Sequence, residues 1–202
     1  MRHAKFCRWN ASGALVVLAS LLAWPAVGVA QTVVGNGTAV QATVLGLLGG
    51  TTTTLAGTGA LGGTTDALNA SQVTGDVPSL LTAEALAATT IGWPDQVISH
   101  ASLANLGLTL GVATISADTV LATATALLGA TGSGSASIGN LLINGVPVAV
   151  TGLPNQTISI PGGQLVINEQ AVSPASTTVN ALHATVSGVA DVVIGSAVAG
   201  IQ

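Results

Sequence analysis

Residues 178–194, TVNALHATVSGVADVVI, decide the fold class. Two runs of Val, Ala, Thr and Ile flank the dipeptide Ser187-Gly188. β-Branched residues favour strands and a Ser-Gly pair favours a tight turn, so we predict a hairpin with strands at 178–186 and 189–194. Polar and apolar side chains do not alternate cleanly within the first strand. This predicts that both of its faces are covered, as in one sheet of a sandwich.

Two more hairpins are predicted immediately before this one. The first turns at Asn144-Gly145, the strongest two-residue hairpin signal, and the second turns at 161–164, Pro-Gly-Gly-Gln. Their predicted strands are 138–143, 146–151, 157–160 and 165–168. With turn residues about every ten positions and no helical alternation, the sequence predicts an all-β fold. It is either an antiparallel sandwich or a closed barrel of short strands.

The earlier part of the sequence is less regular. Residues 38–45 predict a first strand, and the Gly- and Thr-rich segment 46–76 predicts a long loop with weak strand content. Segment 79–90 is ambiguous, because its Leu, Ala and Glu residues favour a helix. However, 82–89 aligns without gaps with 116–123, which is rich in β-branched residues and favours a strand. We therefore predict a strand over 81–90 and keep the helix as the alternative.

The charge distribution excludes whole classes of partner. The chain has 202 residues, is 5% charged, and carries its three basic residues within the first eight positions. A protein that binds DNA or RNA needs Lys or Arg to neutralise phosphates, so nucleic-acid partners are excluded. Anionic membrane surfaces are excluded for the same reason. At 49% hydrophobic, the chain is also too apolar for charge-driven disorder.

Residues 1–30 have the three parts of a secretory signal peptide: a basic start, an apolar stretch and small residues at the end. We predict cleavage after Ala30, with Gly28 as the alternative, and a secreted or cell-surface location. No later apolar run reaches the roughly 20 residues that span a bilayer. The remaining 31–202 are predicted to form a single all-β domain. Because this part contains no cysteine, burial alone must stabilise it.

Several short segments together carry a family resemblance. They are ASLANL at 101–106, ISAD at 115–118, IGNLLINGVPV at 138–148, PNQTI at 154–158, VINEQ at 166–170, VNALH at 179–183 and ADVVI at 190–194. In these segments the chain resembles the choice-of-anchor P family of exported bacterial proteins. The resemblance covers about 38–197 and is most specific over 138–194. It implies an exported β-rich domain and supplies no catalytic residues.

Few residues offer catalytic or metal-binding chemistry. Asp95, Ser99 and His100 lie within six positions and contain the residue types of a hydrolase triad, but they lack the Gly-x-Ser-x-Gly turn. A loop with a solvated histidine is the alternative. The groups from which the fold could assemble a metal site are His100, His183, Asp118, Glu169 and Asp191. They show no metal-binding spacing, so we predict no catalytic, metal or cofactor site.

Two features suggest ligand contacts. Trp93, the sole aromatic residue of 31–202, could contact a carbohydrate or another small ligand, although Trp93-Pro94 also fits a turn or a core position. Threonines at 51–54, and at Thr123 and Thr125, suggest an ice-binding face, which needs flat threonine arrays. The strand preference of threonine explains them equally well.

Taken together, these observations predict an exported, non-catalytic β-domain of the cell surface or extracellular matrix that acts by packing or self-association. Its expected partners are cell-envelope or matrix components and copies of itself. The alternative is a secreted carbohydrate or small-ligand binding module centred on Trp93. An ice-binding protein and a hydrolase are further alternatives.

Overall fold

The computed structural model describes residues 31–46 and 49–202, so the predicted signal peptide at 1–30 lies outside the described residues. The described residues form thirteen strands and no helix. The strands are β1 (Val33–Gly46), β2 (Gly49–Gly57), β3 (Ala67–Val77), β4 (Leu81–Gly92), β5 (Gln96–Leu110), β6 (Ala113–Leu127), β7 (Ser133–Gly139), β8 (Leu142–Ile143), β9 (Val146–Pro147), β10 (Gln156–Ile160), β11 (Gly163–Val172), β12 (Thr177–Val186) and β13 (Ala190–Ile201).

The strands form two antiparallel sheets. Sheet A has the order β10-β11-β12-β13-β1-β2. Sheet B has the order β3-β4-β5-β6-β8-β9, and β7 pairs with β6 beside β8. The sheets pack as a sandwich, which confirms that prediction, and the closed-barrel alternative is wrong. The last strand, β13, returns to pair with the first, and two backbone hydrogen bonds of 3.0 Å between Thr32 and Gln202 extend this pairing.

The core lies between the sheets, where β5 and β6 face β13 and β1. Inward positions alternate along each strand, as in β5 with Val97, Ala101 and Leu103, and in β13 with Val192 and Ile194. All five are at most 3% exposed. Side chains of this size hold the two sheets close together, so the sandwich is stabilised by aliphatic packing.

A buried hydroxyl links the two sheets. Ser99 on β5 is fully buried and donates from Oγ to the Val198 carbonyl oxygen of β13 at 2.6 Å. The buried hydroxyl of Thr90 on β4 lies 2.7 Å from Ser99 Oγ. Both hydroxyl groups are therefore satisfied in the interior, as burial of a polar group requires.

Left-handed residues interrupt several strands. Ala85, Asn105, Asn168 and Gly195 lie inside β4, β5, β11 and β13 with φ between 48° and 62°. Gly195 combines this backbone with a crowded position. A Cβ added there would lie 3.1 Å from Ala181 Cβ and also contact sheet B. Glycine suits this position because any other side chain would have a strained backbone and a tight contact with the neighbouring strand β12.

The structure differs from the prediction over 46–76. This segment contains β2 and most of β3, where a loop with weak strand content was expected. Both are edge strands and mostly exposed. Their sequences therefore show little of the alternation of apolar and polar residues by which a half-buried strand is recognised. Segment 79–90 agrees with the predicted strand, since most of it belongs to β4, and the helix alternative is wrong. Pairing with β3 and β5 overrides its helix propensity.

The three predicted hairpins exist, but one is much shorter than expected. Asn144-Gly145 forms the turn with both residues at positive φ, yet the flanking strands β8 and β9 have only two residues each. Pro147 lacks the N–H that a longer ladder needs. The other two hairpins turn at Pro161-Gly162 and at Ser187-Gly188, and their second strands extend beyond the predicted ends. Residues Gln31–Gln202 form one compact unit.

Replacing Gly195 tests the packing around this position, where the tightest contact of an added Cβ is with Ala181 of the neighbouring strand β12. Gly188 is the matched control, because it has φ 71° but no atom within 4 Å of an added Cβ. We expect Gly188→Ala to lower the free energy of unfolding by about 1 kcal/mol through backbone strain alone. Gly195→Ala should cost about 1–3 kcal/mol more through overpacking. Urea unfolding measures both, and equal losses would contradict the packing argument.

Candidate functional site

Trp93 lies in the turn between β4 and β5. Its backbone N–H donates to the Gln96 carbonyl oxygen at 2.7 Å, and the side-chain amide of Gln31 donates to the neighbouring Pro94 carbonyl oxygen at 2.8 Å. The residue is 39% exposed. This placement agrees with the turn predicted for Trp93-Pro94. It leaves part of the indole accessible, and ligand contact through it stays a prediction.

The structure separates the residues of the proposed hydrolase triad. Ser99 and His100 are consecutive in β5, so their side chains point to opposite faces of sheet B. Ser99 is buried against Val198, whereas His100 is exposed and lies 3.0 Å from Thr123 Oγ1. Asp95 lies in the turn before the strand. A histidine on the outer face cannot take a proton from a serine in the core, so these three residues form no triad.

A charged cluster on the outer face of sheet A brings together residues that the sequence left isolated. His183 on β12 lies between Glu169 of β11 and Asp191 of β13. Its Nδ1 is 2.9 Å from Glu169 Oε2, and its Nε2 is 2.9 Å from Asp191 Oδ1. The amide of Asn180 donates to the same Glu169 oxygen at 2.6 Å. We call these four residues the His183 cluster; it connects three adjacent strands.

The geometry of the His183 cluster favours the imidazolium form of His183. A neutral imidazole has one donor and one acceptor nitrogen, whereas ionised carboxylates only accept. Both ring nitrogens face a carboxylate, so both can donate only when the ring is protonated. Partial burial lowers the pKa of His183, but the hydrogen bonds and negative charges of Glu169 and Asp191 outweigh it, and the net pKa is raised. His183 therefore supplies a positive charge in 31–202, which has no Lys or Arg.

The five groups considered for a metal site do not come together. His183, Glu169 and Asp191 meet on sheet A, but there the two imidazole nitrogens point to opposite carboxylates. His100 and Asp118 lie on sheet B, where Asp118 accepts a hydrogen bond from Asn140 Nδ2 at 2.5 Å. Within the described ranges, no group of three or more His, Cys, Asp or Glu side chains is arranged to hold a metal ion.

The outer face of sheet B carries a flat array of short side chains. Three rows cross five strands, β3-β4-β5-β6-β7. The rows are Ala67-Ile91-Ile98-Thr125-Ser133, Asn69-Thr89-His100-Thr123-Ser135 and Ser71-Ala87-Ser102-Leu121-Ser137. More than half of these residues carry hydroxyl groups, and none carries a carboxylate. We call this surface the hydroxyl face. The sequence did not reveal it, because its rows follow strand pairing and not chain order.

The two threonine patches lie on different sheets. Thr123 and Thr125 belong to the hydroxyl face, where five serines outnumber three threonines. Thr52 and Thr54 point outward from β2 in sheet A, since they pair with the outward Thr43 and Gln41. The patches therefore do not combine into one threonine surface.

A cavity of about 710 Å³ lies at one end of the sandwich. The turn from β6 to β7, the turn from β11 to β12 and the end of β13 surround it, with Leu128, Val172 and Ile201 among its apolar residues. Thr177, in its wall, is fully buried, and its hydroxyl has no partner among the described residues. A Cβ added at Gly132 would lie 2.2 Å from that hydroxyl oxygen, so the Gly132 backbone covers it.

Comparison of the chain with protein-family models, with curated proteins and with solved structures found no match. The resemblance to the choice-of-anchor P family therefore stays a prediction. None of the described residues belongs to a helix with the length and apolar character needed to cross a membrane.

The His183 cluster predicts a pH-dependent stability. Because the pKa of His183 is raised on folding, the cluster stabilises the fold fully below the unfolded pKa of about 6.5. That stabilisation is lost as the pH rises through the folded pKa. At pH 6 we expect His183→Gln to lower the free energy of unfolding by about 1 kcal/mol, and by less at pH 9.

Urea unfolding at several pH values between 6 and 9 measures this effect. His100→Gln is the control, since His100 contacts a threonine and no carboxylate in the structure. A stability difference between wild type and His183→Gln that did not change with pH would contradict the protonated cluster.

Proposed function

We propose that this chain is an exported, non-catalytic β-domain that acts at the cell surface or in the extracellular matrix. It acts by packing against copies of itself or against envelope material. The observation that carries this proposal is the hydroxyl face, an array five strands wide without a carboxylate or a long flexible side chain. Short side chains lose little conformational entropy when a partner covers them, and their neutrality avoids the cost of desolvating charge.

The placement of the acidic residues supports the proposal. The segment 31–202 contains all seven of them and no Lys or Arg, so its formal charge is −7. Glu169 and Asp191 are held by His183. Glu84 accepts a hydrogen bond from Asn105 Nδ2 at 2.7 Å, at one end of the hydroxyl face. The broad middle of that face is thus free of negative charge and can approach a neutral surface without repulsion.

The sequence supports the location. The first thirty residues have the pattern of a signal peptide, and the resemblance to the choice-of-anchor P family also implies export. The low overall charge suits a protein that is retained in a layer or polymer.

A charge placed on the hydroxyl face tests the proposal. The full chain is exported by a bacterial host and purified in the form that the host releases. We expect the wild type to sediment as assemblies between micromolar and millimolar concentration, or to be retained by isolated envelope material. Ser102→Glu, in the central strand of the face, should reduce assembly or retention at least tenfold. Val112→Glu, in the exposed β5–β6 turn, is the matched control.

The proposal fails if the wild type stays monomeric at millimolar concentration and no envelope material retains it. Equal behaviour of Ser102→Glu and Val112→Glu would instead show that the hydroxyl face is not the contact surface.

A carbohydrate or small-ligand binding module is the second candidate. It is favoured by the partly exposed indole of Trp93 in a turn fixed by hydrogen bonds. Titration with neutral glycans should then shift the tryptophan fluorescence of the wild type but not that of Trp93→Leu. If the two proteins respond alike, Trp93 is not the contact and this candidate fails.

A further inference from the structure

β2 is the least protected edge strand in the described part of the chain. It pairs with β1 on one side, and no described residue pairs with its other side. Over Gly49–Gly57 it contains neither a charged residue nor a proline, and Thr51, Thr52 and Thr54 are exposed. Natural proteins block edge-to-edge pairing with charge, proline or short edge strands. β2 has nine residues and uses none of these devices.

The other edge strands in the described chain carry one of these devices, except β7, which is covered by a side-chain hydrogen bond. β3 contains Asp76, and β9 ends in Pro147. β10 has only five residues and is followed by Pro161. On β7, the Gly134 carbonyl oxygen accepts a hydrogen bond from Gln170 Nε2 at 3.0 Å. The contrast singles out β2 as the edge that is open to pairing.

The charge of the chain favours the same edge. Two copies of 31–202 repel each other, because each has a formal charge of −7. β2 itself contributes no charge to this repulsion. On the outer face of sheet A, the acidic residue that lies nearest to β2 in the strand order is Asp191. It lies two strands away and is paired with His183.

We propose that β2 pairs antiparallel with β2 of a second copy, so that two six-stranded sheets continue into one sheet across a two-fold axis. This proposal rests on the proposed function of self-association and adds a second contact surface to it, on sheet A and distinct from the hydroxyl face of sheet B. Residues that lie opposite each other on antiparallel strands point to the same face of the sheet. An axis between two residues of β2 would pair side chains that point to opposite faces, so the two-fold axis must pass through a residue. An axis at Thr53 pairs residues 51–55 of β2 with the same residues of its copy and leaves out Ala56, whose φ of 47° interrupts the strand.

Threonine side chains suit this pairing. Thr43 of β1 and Thr52 of β2 already form a cross-strand pair on the outer face, with their Oγ1 atoms 2.9 Å apart. With the axis at Thr53, Thr54 of the second copy lies opposite Thr52. The hydroxyl row of sheet A then continues into the second copy, and such Thr–Thr pairs stabilise antiparallel sheets.

Cysteine cross-linking tests the geometry. The variants Thr52→Cys, Thr53→Cys and Thr54→Cys are made in a Cys7→Ser background, because Cys7 is the only cysteine of the chain. When two copies of a strand pair across a two-fold axis, only the residue on the axis lies within disulfide distance of the same residue in the other copy. We therefore expect one of the three to form a disulfide dimer at least tenfold faster than Val112→Cys, the exposed control. Equal rates for all four would overturn the proposal.

Opposite charges on β2 test the affinity. Thr54→Glu and Thr54→Lys each place like charges close together across the pair, so each should weaken dimerisation at least tenfold. An equimolar mixture of the two should restore the dimer, as measured by sedimentation. Val112→Glu and Val112→Lys are the controls and should assemble like the wild type. If the Thr54 variants also assemble like the wild type, β2 is not the interface, although self-association as a function stands.

The remaining outcomes separate the two proposals further. A wild type that is monomeric but retained by envelope material overturns the β2 pairing and leaves the proposed function intact. A wild type that neither assembles nor is retained overturns both.

Discussion

The close packing of short aliphatic side chains between the two sheets is the contact on which the rest of the structure depends. Leu, Val, Ile and Ala fill the inward positions of β5, β6, β12 and β13. Because this interior has no long aromatic side chains to separate the sheets, they approach closely. The approach allows Ser99 to reach the Val198 carbonyl oxygen of the opposite sheet. At Gly195 an added Cβ would contact both sheets, most tightly Ala181 of sheet A.

The scarcity of charged residues determines which side chains can interact on the outer surface. In a chain with no Lys or Arg after position 8, histidine is the only side chain that can neutralise a carboxylate. The single charge of His183 is shared between Glu169 and Asp191, and asparagine amides bind Glu84 and Asp118. What remains is a surface made largely of Ser, Thr, Ala and Val, with a few negative charges. Such a surface can be covered by a partner at low cost in desolvation.

This arrangement explains why the proposed contacts lie on faces and edges. The hydroxyl of the candidate nucleophile Ser99 is buried and donates a hydrogen bond to the opposite sheet. Both ring nitrogens of His183 lie against carboxylates. The hydroxyl face and the edge of β2 are, by contrast, extended, uncharged and made of groups that strands use to pair and to pack.

The sequence by itself determined the all-β class, the three hairpin turns and the strand over most of 79–90, because these follow from local preferences of turn residues and β-branched side chains. It did not determine the edge strands within 46–76, where exposure removes the apolar alternation, or the short length of β8 and β9. Only the tertiary structure decided that Ser99 and His100 diverge, that Glu169, His183 and Asp191 meet, and that serines and threonines from five strands share one face. Those relations depend on which strands are neighbours and in what register. Pairing between distant segments sets both, and no local pattern records it.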